Sequence, residues 1–256
     1  LHVGAWPDAP LSSWLHETVG LPDRAALMES LEDYVEALLS EIPSPIPLYP
    51  EVVLGRPAAV LLERAQQRAD RLLVMGPGEP GSIGALLGTT VERVLRKSPL
   101  PLLVAGQPGQ PERDLSSPDV VVAVDFSAPS LRALGLAVDL LRAQGGTLTV
   151  LTVDPGFAQF EQPICSDQTL RAQLAALGMG RQEALENRLM RLDIPTAQPA
   201  ALVVEAGPVV PSILEHLTDT MADLLVVGAC GHSGRPPGTV TRRLLHSSPV
   251  PVLVCP

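Results

Sequence analysis

The sequence predicts an α/β protein built from two tandem copies of one domain, each a parallel sheet covered by helices on both faces. Three observations predict it. The stretch from Asp223 to Val254 runs buried strand, glycine-rich turn, helix and second buried strand, because Leu224–Val227 and Val250–Val254 are short apolar runs of the kind that parallel sheets cover on two sides. Asp70 to Val104 repeats that stretch: Gly88-Thr89, Arg93, Ser98-Pro99 and Pro101 match Gly238-Thr239, Arg243, Ser248-Pro249 and Pro251 without a gap, 150 residues apart. Strands and helices alternate throughout, an order that implies right-handed crossovers and a parallel sheet.

The first copy is expected over residues 1–106. Leu1-His2-Val3 matches Leu151-Thr152-Val153 at the same offset, so the copy opens on its second strand and has no counterpart of Val120–Thr149. The expectation is that this opening strand and helix come from residues upstream of Leu1, with donation by another chain as the alternative, since open buried strand edges are costly. Gly4–Thr18 reads as a loop carrying Trp6 and Trp14, expected to pack there. Leu21–Leu39 has helical spacing, with Leu27, Leu31, Tyr34, Val35 and Leu38 on one face and Glu29, Glu32 and Asp33 turned to water. Ile46–Leu54 is expected to be a strand at a sheet edge, where Pro47 and Pro50 are tolerated. Pro57 then opens a helix to Ala69, at a position where its missing N–H costs nothing.

Residues 107–118 hold Pro108, Gly109, Pro111, Ser116, Ser117 and Pro118 with little apolar content and read as the linker. The second copy, 119–256, is complete. Val120–Val124 is its first strand, a helix runs from about Pro129 to Ala143, and Leu148–Val153 is the second strand. Leu170–Leu192 is a long helix, Ala201–Val204 the third strand, and Ile213–Met221 lies on the next helix. Ligands of such sheets sit outside the carboxyl ends of the strands, and Asp125, Val153 and Gly228 all stand at strand ends.

Composition narrows the function. A formal net charge of −10 argues against a nucleic-acid or anionic-membrane surface, either of which needs a concentrated basic face. Cys165, Cys230 and Cys255 are far apart and form no C-x-x-C pair, so neither a disulfide framework nor a thiolate zinc site is expected, and a reducing cytoplasm fits best. No run approaches the roughly 18 apolar residues of a membrane span. His232 and Ser233 adjoin in the glycine turn, but the sequence places no acid beside them, and there is no Walker lysine motif.

Four features occur together: Val124-Asp125-Phe126-Ser127 at the end of the first strand, the glycine-to-helix spacing Gly207 to Ile213, the D-L-L-V-V-G strand Asp223–Gly228, and a glycine turn closing on Gly238-Thr239 before S-P-V-P-V-L-V. In this combination the chain resembles the universal stress protein family, in two tandem domains. The resemblance implies Rossmann-like, open five-stranded sheets in strand order 3-2-1-4-5, paired through their last strands near Leu102–Val104 and Val252–Val254 into a pseudo-dimer, with a further homodimer conceivable. It also implies an adenine nucleotide, ATP or AMP, magnesium accompanying ATP, and a stress-response or regulatory role with at most slow hydrolysis.

The family's nucleotide-binding turn is G-x-x-G, nine residues, then G and Ser or Thr. Gly228 and Gly231 keep the first part here, but only six residues separate Gly231 from Gly238-Thr239. In the first copy Gly78 stands nine residues before Gly88-Thr89, but a single residue separates Gly76 from Gly78. By resemblance Asp125 takes the adenine, Val153 packs on the base, and Gly228, Gly231, Gly238 and Thr239 wrap ribose and phosphate, with Gly76, Gly78, Gly88 and Thr89 as the first-copy equivalents. Asp125 is equally read as the cap of the helix that follows it. The shortened turn keeps a second function open, a non-nucleotide interaction or scaffold protein on the same fold.

Overall fold

The computed structural model describes residues 2–4, 24–44, 47–67, 72–76, 89–106, 115–155, 180, 183–184, 186–188, 190–191, 200–232, 234 and 237–256. They divide into two compact units, Leu1–Arg68 and Ala69–Pro256. In the first, strand β1 (His2–Gly4) pairs in parallel with β2 (Val52–Leu54), Val3 opposite Val53. Helix α1 (Arg24–Ser40) lies between them in sequence and α2 (Pro57–Gln67) follows, opening on its proline. Two expectations are corrected here. The strand expected from Ile46 is confined to Val52–Leu54, beyond both prolines, because Pro47 and Pro50 have no N–H for the ladder. On α1, Leu27, Leu31 and Val35 are half-buried, but Tyr34 and Leu38 stay in solvent. Trp6, Trp14 and most of the Gly4–Thr18 loop lie outside the described residues, as do most of the linker and most of the Leu170–Leu192 helix.

The second unit carries a seven-stranded sheet. Its elements are β3 (Leu73–Met75), α3 (Thr89–Lys97), β4 (Leu102–Val104), β5 (Asp119–Ala123), α4 (Ala128–Gln144), β6 (Thr147–Asp154), β7 (Ala200–Ala206), α5 (Val209–Asp219), β8 (Leu224–Gly228), α6 (Thr239–Ser247) and β9 (Val252–Cys255). The strands lie in the order β3-β4-β9-β8-β5-β6-β7. Within the second copy this is third-second-first-fourth-fifth, all parallel. The valine run makes β5 the centre: Val120, Val121 and Val122 are buried, as neighbours on both edges and helices on both faces require. α4 turns Ala133, Leu134, Ala137, Val138 and Leu141 onto Val120, Val122, Val150 and Val226, and the alternate strand residues face away from it, toward α5 and α6.

The two copies meet where their last strands run side by side. β4 and β9 are antiparallel, Leu102 opposite Val254, Leu103 opposite Leu253 and Val104 opposite Val252. Leu103 and Leu253 are 150 residues apart, equivalent positions of the repeat, so exchanging the copies maps the ladder onto itself. At the far edge, β3 has a ladder partner on one side only among the described residues. Its Val74 is 61% exposed, while Val226, flanked by β5 and β9 and roofed by α4, is 0% exposed.

Candidate functional site

At the carboxyl ends of β5, β6 and β8, where the chain reverses its direction of travel across the sheet, a cavity of about 370 Å³ opens. Asp125, Val153, Gly228, Gly231, Gly238 and Thr239 all line it. Of the first-copy candidates, the two described ones, Gly76 and Thr89, are not part of its lining. Gly76 follows β3 and is exposed, Thr89 starts α3, and Gly78 and Gly88 lie outside the described residues.

Asp125 follows β5 and is held by the start of α4. Its Oδ1 accepts from the Ser127 N–H at 3.0 Å and from the Ser127 hydroxyl at 2.5 Å, while its own N–H donates to Ser130 Oγ at 3.3 Å. The helix cap is Ser127, whose hydroxyl oxygen accepts from the Ser130 N–H; Asp125 is therefore not the cap but the group that orients it. Between them Phe126 takes φ +63°, a left-handed conformation uncommon for a bulky residue, with the Arg188 guanidinium 4.2 Å from its ring centroid. Burial raises the pKa of the Asp125 carboxyl, but the Ser127 hydroxyl and N–H, Ser130 and the charge on His232 together outweigh it and leave the group below the usual carboxylate range. A carboxylate so placed is an anion with one oxygen engaged.

The other oxygen, Oδ2, is turned to the glycine turn. A Cβ on Gly231 would lie 2.5 Å from it, so any larger residue there must displace the carboxylate. Gly228 is required for the same kind of reason: a Cβ there would come within 2.9 Å of the Pro129 backbone. Gly238 is different, since a Cβ would meet nothing nearer than 3.4 Å. His232 Nδ1 stands 3.7 Å from Asp125 Oδ2, at the mouth. This is the acid that sequence reading could not place beside His232; Ser233 lies outside the described residues.

The opposite wall presents backbone groups together with the side chains of Thr239 and Thr241. The turn is closed by Gly238 N–H donating to Ala229 O at 2.9 Å and by Thr241 Oγ1 donating to Gly228 O at 2.9 Å. Gly238 brings no side chain to cap α6, so the first N–H groups of that helix, and its positive dipole end, face the cavity beside Thr239 and Val240. Leu151, Val153, Ile213 and Leu244 supply an apolar floor. Ile213, Leu244 and buried Cys230 were not among the residues expected at the site, although the glycine-to-helix spacing that ends on Ile213 was an available signal. Among the described residues no group of three or more His, Cys, Asp or Glu is arranged to hold a metal ion, and no helix is long and apolar enough to cross a membrane.

The arrangement puts a carboxylate, an apolar floor and a helix N-terminus in one cleft of a doubly wound α/β sheet. A profile of the universal stress protein family matches residues 1–106 and 118–256, and the chain belongs to that family, as a tandem pair. Solved structures agree on the fold. A universal stress protein from Archaeoglobus fulgidus DSM 4304 is 21% identical over 92% of this chain and 82% of its own, with a TM-score of 0.58. A functionally unknown protein from Pseudomonas aeruginosa PAO1 is 19% identical over 99% and 91%, with a TM-score of 0.58. A putative universal stress protein from Pseudomonas aeruginosa UCBPP-PA14 is 18% identical over 99% and 91%, with a TM-score of 0.56. No curated protein matches the chain.

Proposed function

We propose that the second copy binds an adenine nucleotide, AMP or ATP, in the cleft between Asp125 and Gly238, and that the protein is a nucleotide-responsive stress or regulatory module with little or no catalysis. One observation carries the reading: a preorganised carboxylate, its Oδ1 tied to Ser127 and its Oδ2 beside Gly231 and His232, in the wall of a cavity floored by apolar side chains. A donor such as the adenine amino group or a ribose hydroxyl suits Oδ2, the floor suits the base, and the N-terminus of α6 with Thr239 suits a phosphate. The described residues around the cleft do not form a metal site of their own, so magnesium would arrive with the phosphates of ATP.

The six-residue span between Gly231 and Gly238, three short of the family turn, supports the second reading, an interaction protein that takes no nucleotide. Melting the protein with and without millimolar AMP or ATP separates the two. A ligand at about 100 times its Kd adds about 2.7 kcal/mol to stability, which raises Tm by roughly 5–10 °C in a chain of this size. No shift with either nucleotide defeats the nucleotide reading and leaves the interaction protein.

A further inference from the structure

Around the β4–β9 ladder the copies are related by a local two-fold: equivalent residues Leu103 and Leu253 face each other, and the flanking pairs exchange under it. The turns into these strands are also alike. Ser98 Oγ donates to Leu100 O at 3.0 Å and Ser248 Oγ donates to Val250 O at 2.7 Å. On such an axis a residue meets its own equivalent. One charged position does so: Glu92 Oε1 on α3 lies 3.8 Å from Arg242 Nη1 on α6, and residues 92 and 242 are the same position of the repeat. The next position, Arg93 and Arg243, carries the same charge in both copies and is exposed in both. At the self-facing position, and not beside it, the copies have opposite sign.

We propose that the Glu92–Arg242 pair sets the specificity of pairing between the two halves, so that a Glu92-bearing half accepts an Arg242-bearing half and like halves reject each other. Two second halves meeting through β9 would set Arg242 against Arg242, and two first halves meeting through β4 would set Glu92 against Glu92. Like charges so juxtaposed disfavour the wrong partner even where the right pair contributes little by itself, which is how charge serves specificity at an interface. The occupant selected for the edge of β9 is thus the first half of this chain in preference to the second half of another copy. This inference does not depend on the nucleotide reading.

Single reversals within the full chain reproduce the two rejected contacts. Glu92→Arg places arginine against arginine, Arg242→Glu places glutamate against glutamate, the double reversal restores a complementary pair in the opposite sense, and Glu92→Gln with Arg242→Gln removes charge altogether. Thermal melts at low salt should show each single reversal about 2–4 °C below the native chain, the neutral pair between them, and the double reversal back to within about 1 °C of native. Glu92 also sits in the first turn of α3, where a negative charge is favourable by itself. The double reversal moves that benefit to α6, so its recovery isolates the contact across the axis. In about 1 M NaCl, where the Debye length is about 3 Å, the differences should collapse. The proposal is overturned if the double reversal melts at the sum of the two single losses, if the single reversals leave Tm unchanged at low salt, or if their effect persists undiminished in high salt.

Discussion

Replacing Asp125 by asparagine separates the binding role of the carboxylate from its structural one. Ser127 N–H can only donate, so the carbonyl oxygen of the introduced amide is held to it as Oδ1 is held now at 3.0 Å, and the amide nitrogen falls where Oδ2 faces Gly231. The cap at Ser127 survives, and the fold with it. At the ligand, an anionic acceptor becomes a neutral donor. A hydrogen bond to a charged group is worth about 1.5–3 kcal/mol, so Asp125→Asn should weaken AMP by about 10- to 150-fold, with Tm lowered by no more than a few degrees. Calorimetric titration with AMP and with inosine monophosphate reads both parts. Adenine presents an amino donor where hypoxanthine presents a carbonyl acceptor, so recovery of inosine monophosphate binding in the variant assigns the contact to the base, and its failure assigns the contact to the ribose. A folded variant that binds AMP as the native chain does would refute the reasoning, because the carboxylate would then not touch the ligand.

Gly231→Ala puts a methyl group 2.5 Å from Oδ2 of a carboxylate that Ser127 pins through its other oxygen, so it should cost about 1–3 kcal/mol and weaken the ligand, whereas Gly238→Ala, with 3.4 Å of room, should melt near the native chain. Thr152→Val removes a buried hydroxyl that donates to Val124 O at 2.8 Å, just before Asp125, and should destabilise by about 1–2 kcal/mol in chemical denaturation without a change in m. The depressed pKa of Asp125 makes its contribution full above the ordinary carboxylate range and lost as pH falls through the lower folded value. The Tm difference between the native chain and Asp125→Asn should therefore be constant near neutrality and shrink in melts taken below about pH 4.

The sheet was legible because its signals are local or repeated. The valine run at 120–122 reads as a strand buried on both faces, and the ladder between β4 and β9 lies where the family resemblance put the pairing of the last strands. The six second-copy site residues converge because each lies at a strand end, in the turn after one or at a helix start, all on one side of the sheet. What holds them was not legible. The segment D-F-S-A-P-S offers three capping side chains in six residues, and the choice of Ser127 depends on the left-handed turn at Phe126, which no composition rule signals. His232 and Asp125 meet across 107 positions of sequence, and Glu92 meets Arg242 across 150; such pairs follow from strand order and not from spacing. In the first unit, helical periodicity marked a face of α1 that includes Tyr34 and Leu38, but periodicity says only which residues share a side, and burial needs something to lie against.

The ladder between β4 and β9 also sets a timetable. Its strands are separated by 150 positions, and at a synthesis rate of about 5–20 residues per second β9 emerges roughly 8–30 s after β4. Folding within either copy needs far less time than that. During the wait the edge of β4 that β9 will cover is open, on a strand of three apolar residues, Leu102, Leu103 and Val104. A nascent chain in that condition is a template for any passing strand, and the turn Ser98-Pro99-Leu100-Pro101 just ahead of it has two residues without an N–H to offer one. For this protein the dangerous interval is therefore one of biosynthesis: until its own second half arrives, the first half depends on not meeting another's.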